Sequence, residues 1–154
     1  MLILFSIMLF IPIFVSIFYN DGNLDTFIKS FITTLIFGLA LYYPNKDSKN
    51  DIKTKEGFLI VVSFWVILSI FGSMPFMLDK QLSLSFTDAF FESISGWTTT
   101  GATIITSLDI LSPSILIYRQ ELQWLGGMGI VILALAILPM LGVGGNLLYK
   151  AEST

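Results

Sequence analysis

The run Trp97-Thr98-Thr99-Thr100-Gly101-Ala102-Thr103 holds the residue types best suited to chemistry in this chain. That chemistry is coordination rather than bond making. A cation that leaves water must have its hydration shell replaced by oxygens, and backbone carbonyls assisted by threonine hydroxyls supply them. Threonine is β-branched and glycine is flexible, so the stretch is a poor helix former and is expected as extended backbone. Gly101 frees the chain for conformations that a side chain would forbid. Thr98, Thr99, Thr100 and Gly101 are therefore the candidate ion ligands. A Thr-Thr-Thr-Gly string alone is weak, because ordinary loops contain such strings. Its weight comes from the elements that hold it.

Residues 86–97 read as a helix too short to cross a bilayer. Ser85 caps it, with Asp88 three positions on, a variant of the capping box. Phe86, Ala89, Phe90, Ser93 and Ile94 fall near one face. Its negative C-terminal end points at residues 98–103, where a cation would sit. Glu92, Gly96, Trp97, Ala102 and Thr103 are candidate supports of the loop, Trp97 as a buttress and Glu92 as a hydrogen-bond partner. Asp88 and Glu92 lie one turn apart near the mouth. They either raise the local cation concentration or are ordinary acids in the first turns of a helix, and the second role is favoured.

Four apolar runs surround this unit: about 1–19, 24–43 (stopped by Pro44), 57–78 and 113–149. Each is long enough to cross a hydrocarbon core of about 30 Å at 1.5 Å per residue. Hydrophobic residues make up 55% of the chain and charged residues 12%, more apolar surface than a soluble core of this length can hide. The first run lacks a positive flank and a cleavage pattern, so it reads as a retained span rather than a signal peptide. Irregular backbone at membrane depth is tolerated only where it is buried in protein or lines water. The expected fold is thus all-α and polytopic: four transmembrane helices, one re-entrant pore helix and a filter loop. Its expected units are an N-terminal helix pair (1–44), a cytoplasmic loop (45–56) and a pore-forming repeat (57–154). Lys46, Lys49, Lys53 and Lys55 crowd the second loop, and the positive-inside rule places that loop and both termini in the cytoplasm.

The chain has no cysteine and no histidine, which removes disulfides, thiolate nucleophiles and the commonest general base and metal ligand. No basic block suggests nucleic acid, and no Ser-Lys or facing Asp pair suggests an intramembrane enzyme. Gly126, Gly127 and Gly129 suit close helix packing. Pro139 is expected to kink the last span, and Gly142, Gly144 and Gly145 either pack closely or form a hinge. Several Trp and Tyr residues, among them Trp65, Trp124, Tyr42, Tyr43, Tyr118 and Tyr149, suit interfacial anchoring. Arg119 and Glu121, near the membrane boundary, either pair with other elements or are solvated interface charges, and the second role is favoured.

The run Asp88-Ala-Phe-Phe-Glu-Ser-Ile-Ser-Gly-Trp-Thr-Thr-Thr-Gly-Ala-Thr103 resembles the first pore loop of the Trk/Ktr potassium uptake family, of the TrkH type. The run from Gln123 to Gly145 resembles the helix that follows it. The resemblance implies four non-identical helix–loop–helix repeats around one pore, with Thr99 and Thr100 coordinating potassium in the first repeat, Gly101 as its filter glycine and Thr98 adjoining. It also implies a homodimer in the membrane, a cytoplasmic nucleotide-binding regulator of the TrkA type, location in the cell inner membrane, and no cofactor beyond the transported ion. The chain departs from the family in carrying one repeat, not four, and so reads as a truncated pore-forming subunit. The alternatives are a non-conducting membrane fragment or interaction protein, and a homotetrameric cation channel.

Overall fold

Long apolar runs make helices, and proline decides where these break. The computed structural model describes residues 1–46 and 54–140, apart from the side chains of 45, 54–58, 60, 61 and 132–140. Every regular element among the described residues is helical.

The stretch expected as a first span is two segments, α1 (Leu2–Met8) and α2 (Phe10–Tyr19), parted at Leu9. Pro12 explains the break: it lacks an N–H, and its ring crowds the carbonyl four residues back, that of Met8. Helix α3 (Leu24–Asn45) runs past its expected stop, with Pro44 inside its last turn rather than beyond its end. A proline there forfeits one backbone bond and the helix ends one residue later. The expected third span starts earlier and is again two segments, α4 (Thr54–Gly72) and α5 (Met74–Leu78). Pro75 stands opposite the carbonyl of Phe71 and repeats the logic of Pro12.

Helix α6 (Phe86–Trp97) has the expected bounds. The Ser85 hydroxyl accepts from the Asp88 N–H at 3.2 Å and donates to the Asp88 carboxylate at 2.8 Å. Phe86 is exposed, however, and the buried side is small and polar: Ala89, Glu92, Ser93, Ser95 and Gly96, closed by Trp97. A short 3-10 turn (Leu108–Ile110) leads into α7 (Pro113–Met140), whose first residue is a proline with φ suited to that position. The expected end of the last span, the glycines at 142, 144 and 145, Tyr149, Lys49 and Lys53 lie outside the described residues, as do the side chains of Pro139 and Lys55.

Helix α1 lies along α3, α2 packs on both α3 and α7, and α6 is held between α4 and α7. Tyr118 of α7, a candidate interfacial anchor in the sequence, is instead wholly buried between the rings of Phe27 and Phe76, at 5.5 and 5.2 Å, because its hydroxyl finds a partner inside, donating to the Gly72 carbonyl at 2.7 Å. Trp97 sits edge-on against Phe5 and Trp65. Glycines set these approaches. A β-carbon at Gly126 would land on the Trp97 carbonyl oxygen, and one at Gly72 on the Ser93 hydroxyl. Packing is thus the role of Gly126, as the sequence predicts, whereas Gly127 meets only the Thr99 methyl at an ordinary 3.7 Å.

Polar residues share the interior with an apolar core, and large apolar side chains face outward. Ser30, Thr34, Ser69, Ser73 and Asp79 are buried, while Phe14 and Phe18 are 70% and 75% exposed. Exposed apolar area of that extent marks contact with a membrane or with other protein. Leu2–Tyr19 and Leu24–Pro44 are long and apolar enough to cross a bilayer.

Polar loops tie one end of the bundle. The Asp21 carboxylate accepts from Ser16 Oγ (2.6 Å), from the Asn23 N–H (3.2 Å) and from the Ser114 N–H (3.0 Å), so it caps α7 from another loop. Asn23 donates to Ser112 Oγ at 2.6 Å. Gln81 donates to the Ile110 carbonyl at 2.9 Å. Burial works against the charge on Asp21, but the hydrogen bonds from Ser114, Ser16 and Asn23 outweigh it and hold the carboxyl below its ordinary value.

Candidate functional site

Helix α6 does not open into a plain extended strand. Its last turn is closed by N–H bonds from Thr98 to the Ile94 carbonyl (2.9 Å) and from Thr99 to the Gly96 carbonyl (2.9 Å). The Ser95 carbonyl then accepts from Thr100 (3.0 Å) and from Gly101 (3.4 Å). Finishing a helix in this way needs left-handed backbone. Thr99 takes it at φ 56° and Gly101 at φ 74°. The expectation of extended backbone is corrected here, because turn bonds back to the helix win over extension. Glycine adopts such a φ freely, but a β-branched threonine pays roughly 1–2 kcal/mol for it. Strain of that kind persists only where the surroundings fix it, and it gathers at functional positions.

The hydroxyls are bonded locally. Thr98 Oγ1 donates to the Ile94 carbonyl at 2.7 Å and stands 2.8 Å from Thr100 Oγ1, and Thr99 Oγ1 donates to the Thr98 carbonyl at 2.7 Å. Residues 98–104 are all exposed, and nothing lies within 4 Å of where a β-carbon would stand on Gly101. The loop therefore has one face open.

The opposite face is tied down. Ser95 Oγ donates to the Ala102 carbonyl at 2.6 Å. Glu92, 4% exposed, accepts from the Thr103 hydroxyl with both oxygens (3.0 and 2.9 Å) and from the Ile104 N–H at 3.2 Å. Arg119 donates to the same carboxylate, Nε at 2.7 Å and Nη2 at 2.6 Å from Oε1. The expected bond from Glu92 to a neighbouring loop is present. Asp88 is exposed and engaged with Ser85, the ordinary role expected for it. Arg119 and Glu121, expected as solvated charges, are both buried. The physical reason is shared: α7 is covered on one side by α6 and on another by α2, so charges on either flank are enclosed. Sequence reasoning missed Ser95, and for Arg119 it favoured the solvated role over the pairing that the structure shows. One signal was available for Arg119: it is the only basic residue between Pro113 and Met140, and Glu121, two positions on, faces away from it on a helix, so its partner has to come from another element. Among the described residues no cluster of His, Cys, Asp and Glu is suited to a metal ion.

Residues 23–154 match the profile of a family described as TrkH, cation transport protein. The chain belongs to the TrkH family. It is 52% identical over 152 residues to the Trk system potassium uptake protein TrkH of Escherichia coli K12, covering 99% of this chain and 32% of that protein. Identity to the Trk system potassium uptake protein TrkG of the same organism is 40% over 149 residues, covering 97% of this chain and 31% of that protein. The crystal structure of the potassium transporter TrkH from Vibrio parahaemolyticus superposes with a TM-score of 0.87 at 49% identity, over 99% of this chain and 32% of that one. The chain thus spans about a third of the length of these relatives and corresponds to their N-terminal portion. The TrkH family is one of membrane-embedded transport proteins, not of enzymes.

Proposed function

We propose that this chain is the leading helix pair and first pore repeat of a subunit that takes up potassium across the cell membrane. The observation that carries the reading is the loop at 98–103: open on one face, bound on the other, and entered by the C-terminal end of α6. A helix C-terminus carries a partial negative charge of roughly half an electron, which favours a cation in front of it. A left-handed residue re-aims the carbonyls around it, which suits Thr99 and Gly101 to presenting oxygens toward one axis. Carbonyls of Thr98, Thr99, Thr100 and Gly101 ligate dehydrated potassium, with Thr99 and Thr100 nearest the ion. Gly96, Trp97, Ala102, Thr103 and Glu92 hold them.

In this reading α1 and α2 together form one span, α3 the second, α4 and α5 the third, and α7 the fourth. Helix α6 re-enters from outside. The units are 1–44, a cytoplasmic loop at 45–56 and a pore repeat at 57–154, with both termini in the cytoplasm. One loop supplies a quarter of a coordination shell. The remaining repeats, a second subunit in a homodimer and a TrkA-type cytoplasmic regulator are the partners this assembly requires.

The test is rubidium uptake by a chimera in which this chain replaces the matched third of the E. coli relative. Uptake is expected from the parent chimera and lost in Gly101→Asp, which forces a charged side chain onto a left-handed position at the ion path, with insertion unchanged. Undiminished uptake by an inserted Gly101→Asp chimera overturns the proposal. Rubidium flux through the 154-residue chain alone would favour self-assembly instead.

A further inference from the structure

We infer that Arg119 is a positioning residue for the loop: acting through Glu92, it clamps the outward limb at Thr103 and Ile104 to α6 and thereby sharpens discrimination between potassium and sodium. The inference rests on reading residues 98–103 as a filter.

Three elements converge on one carboxylate. Arg119 comes from α7, Glu92 from α6, and Thr103 and Ile104 from the limb that leaves the loop. The order of the contacts matters. Arg119 makes both of its contacts with Oε1 (2.7 and 2.6 Å), the Thr103 hydroxyl is shared between Oε1 and Oε2 (3.0 and 2.9 Å), and the Ile104 N–H goes to Oε2 at 3.2 Å. Thr103 Oγ1 in turn accepts from the Ile105 N–H at 3.1 Å, so the clamp extends along the limb. Arg119 and Glu92 are 7% and 4% exposed, so water and salt screen their attraction little. A buried carboxylate without its cation would neutralise or draw in water, and would then bind the limb less firmly. A lysine cannot replace the arginine fully, because its single ammonium lacks the planar fork that places two N–H groups on one side.

Position is what such a clamp controls. Potassium and sodium differ in radius by a small fraction of a bond length. Whether selection follows cavity size or carbonyl field strength, the loop carbonyls must be held against collapse onto the smaller ion. The other anchor, Ser95 Oγ on the Ala102 carbonyl, fixes the loop one residue before Thr103. The two anchors together leave the 98–101 segment little freedom to move away from α6.

The experiment uses the same chimera with Arg119→Lys, Thr103→Val and Thr103→Ser, measuring rubidium and sodium uptake per inserted subunit. Losing one charge-assisted hydrogen bond of the clamp is expected to lower the rubidium-to-sodium ratio on the order of threefold to tenfold in Arg119→Lys and Thr103→Val. Thr103→Ser keeps the hydroxyl and is expected to keep the ratio. If Arg119→Lys fails to accumulate, Thr103→Val decides alone, since it leaves the ion pair in place. A parental ratio in Thr103→Val overturns the inference, and so does a parental ratio in an inserted Arg119→Lys. These outcomes are separable from failure of the filter reading, which shows instead as uptake that survives Gly101→Asp.

Discussion

Arg119–Glu92 and Lys29–Asp25 both close at 2.6 Å, yet one pair is enclosed between α6 and α7 and the other stands on the first turns of α3. The side chains of the first are 7% and 3% exposed, those of the second 60% and 72%. Equal distance therefore does not mean equal consequence. The exposed pair spans one helical turn, is reached by solvent where it lies outside the bilayer, and orders two long side chains for a modest Coulombic gain. The buried pair cannot be re-solvated, and it also carries the Thr103–Ile104 limb. The difference separates a charge that decorates one helix from a charge that connects three segments.

The sharpest way to break the comparison is to remove one partner from each pair. Arg119→Leu leaves Glu92 buried and uncompensated and is expected to destabilise the chain by about 3–5 kcal/mol. Thermal unfolding of the detergent-solubilised protein reads this as a large fall in Tm. A second test asks whether the enclosure, rather than the charge, is what matters. Gly126→Ala puts a methyl where the Trp97 carbonyl stands, and because backbone rather than a flexible side chain must give way, a loss of about 3 kcal/mol is expected. An unchanged Tm in Gly126→Ala would show that α6 and α7 are not locked together there.

An intermediate case is Asp21, half-buried and outside the spans. Its folded pKa is lowered from 3.8, so the folded state binds this proton less readily than the unfolded one. The stability it contributes is present above that ordinary value and is lost as pH falls through the folded pKa. Acid is therefore expected to lower Tm more in the parent than in Asp21→Asn, which itself costs about 1 kcal/mol at neutral pH because its amide nitrogen cannot accept where one carboxylate oxygen did. Parallel pH profiles for the two would remove Asp21 as a cap of α7. The smallest effect belongs to Lys29→Ala. It is expected to cost under about 0.5 kcal/mol, and less at high salt, in the same unfolding assay. A loss comparable with that of Arg119→Leu would collapse the distinction between the two pairs.

Much of the local structure was legible in the residues. Ser85 and Asp88 mark the start of α6, and the threonine run marks its end, because capping and propensity act within a few positions. Glu92 was legible as a loop partner because it lies a turn deeper along the short helix than Asp88. The breaks at Leu9 and Ser73 follow from Pro12 and Pro75 and were open to the same reasoning, but the hydropathy of both runs continues unbroken across them. Left-handed backbone at Thr99 was not legible. Threonine disfavours it, and it is imposed by turn bonds to Gly96 and Ser95.

By itself the sequence determined what is local or compositional: the apolar runs, the short capped helix, the polar threonine loop behind it, and the motif that carries membership of the TrkH family. Only the tertiary structure decided which distant residues meet. Arg119 lies 27 positions from Glu92, Asp21 lies 93 from Ser114, and Tyr118 lies 46 from Gly72. Spacing in sequence holds no record of such pairs. They form because α7 is covered by α2 and α6, and enclosure that removes water from a polar group stabilises the fold where a neighbouring element brings a partner to replace it, as it does at these three pairs.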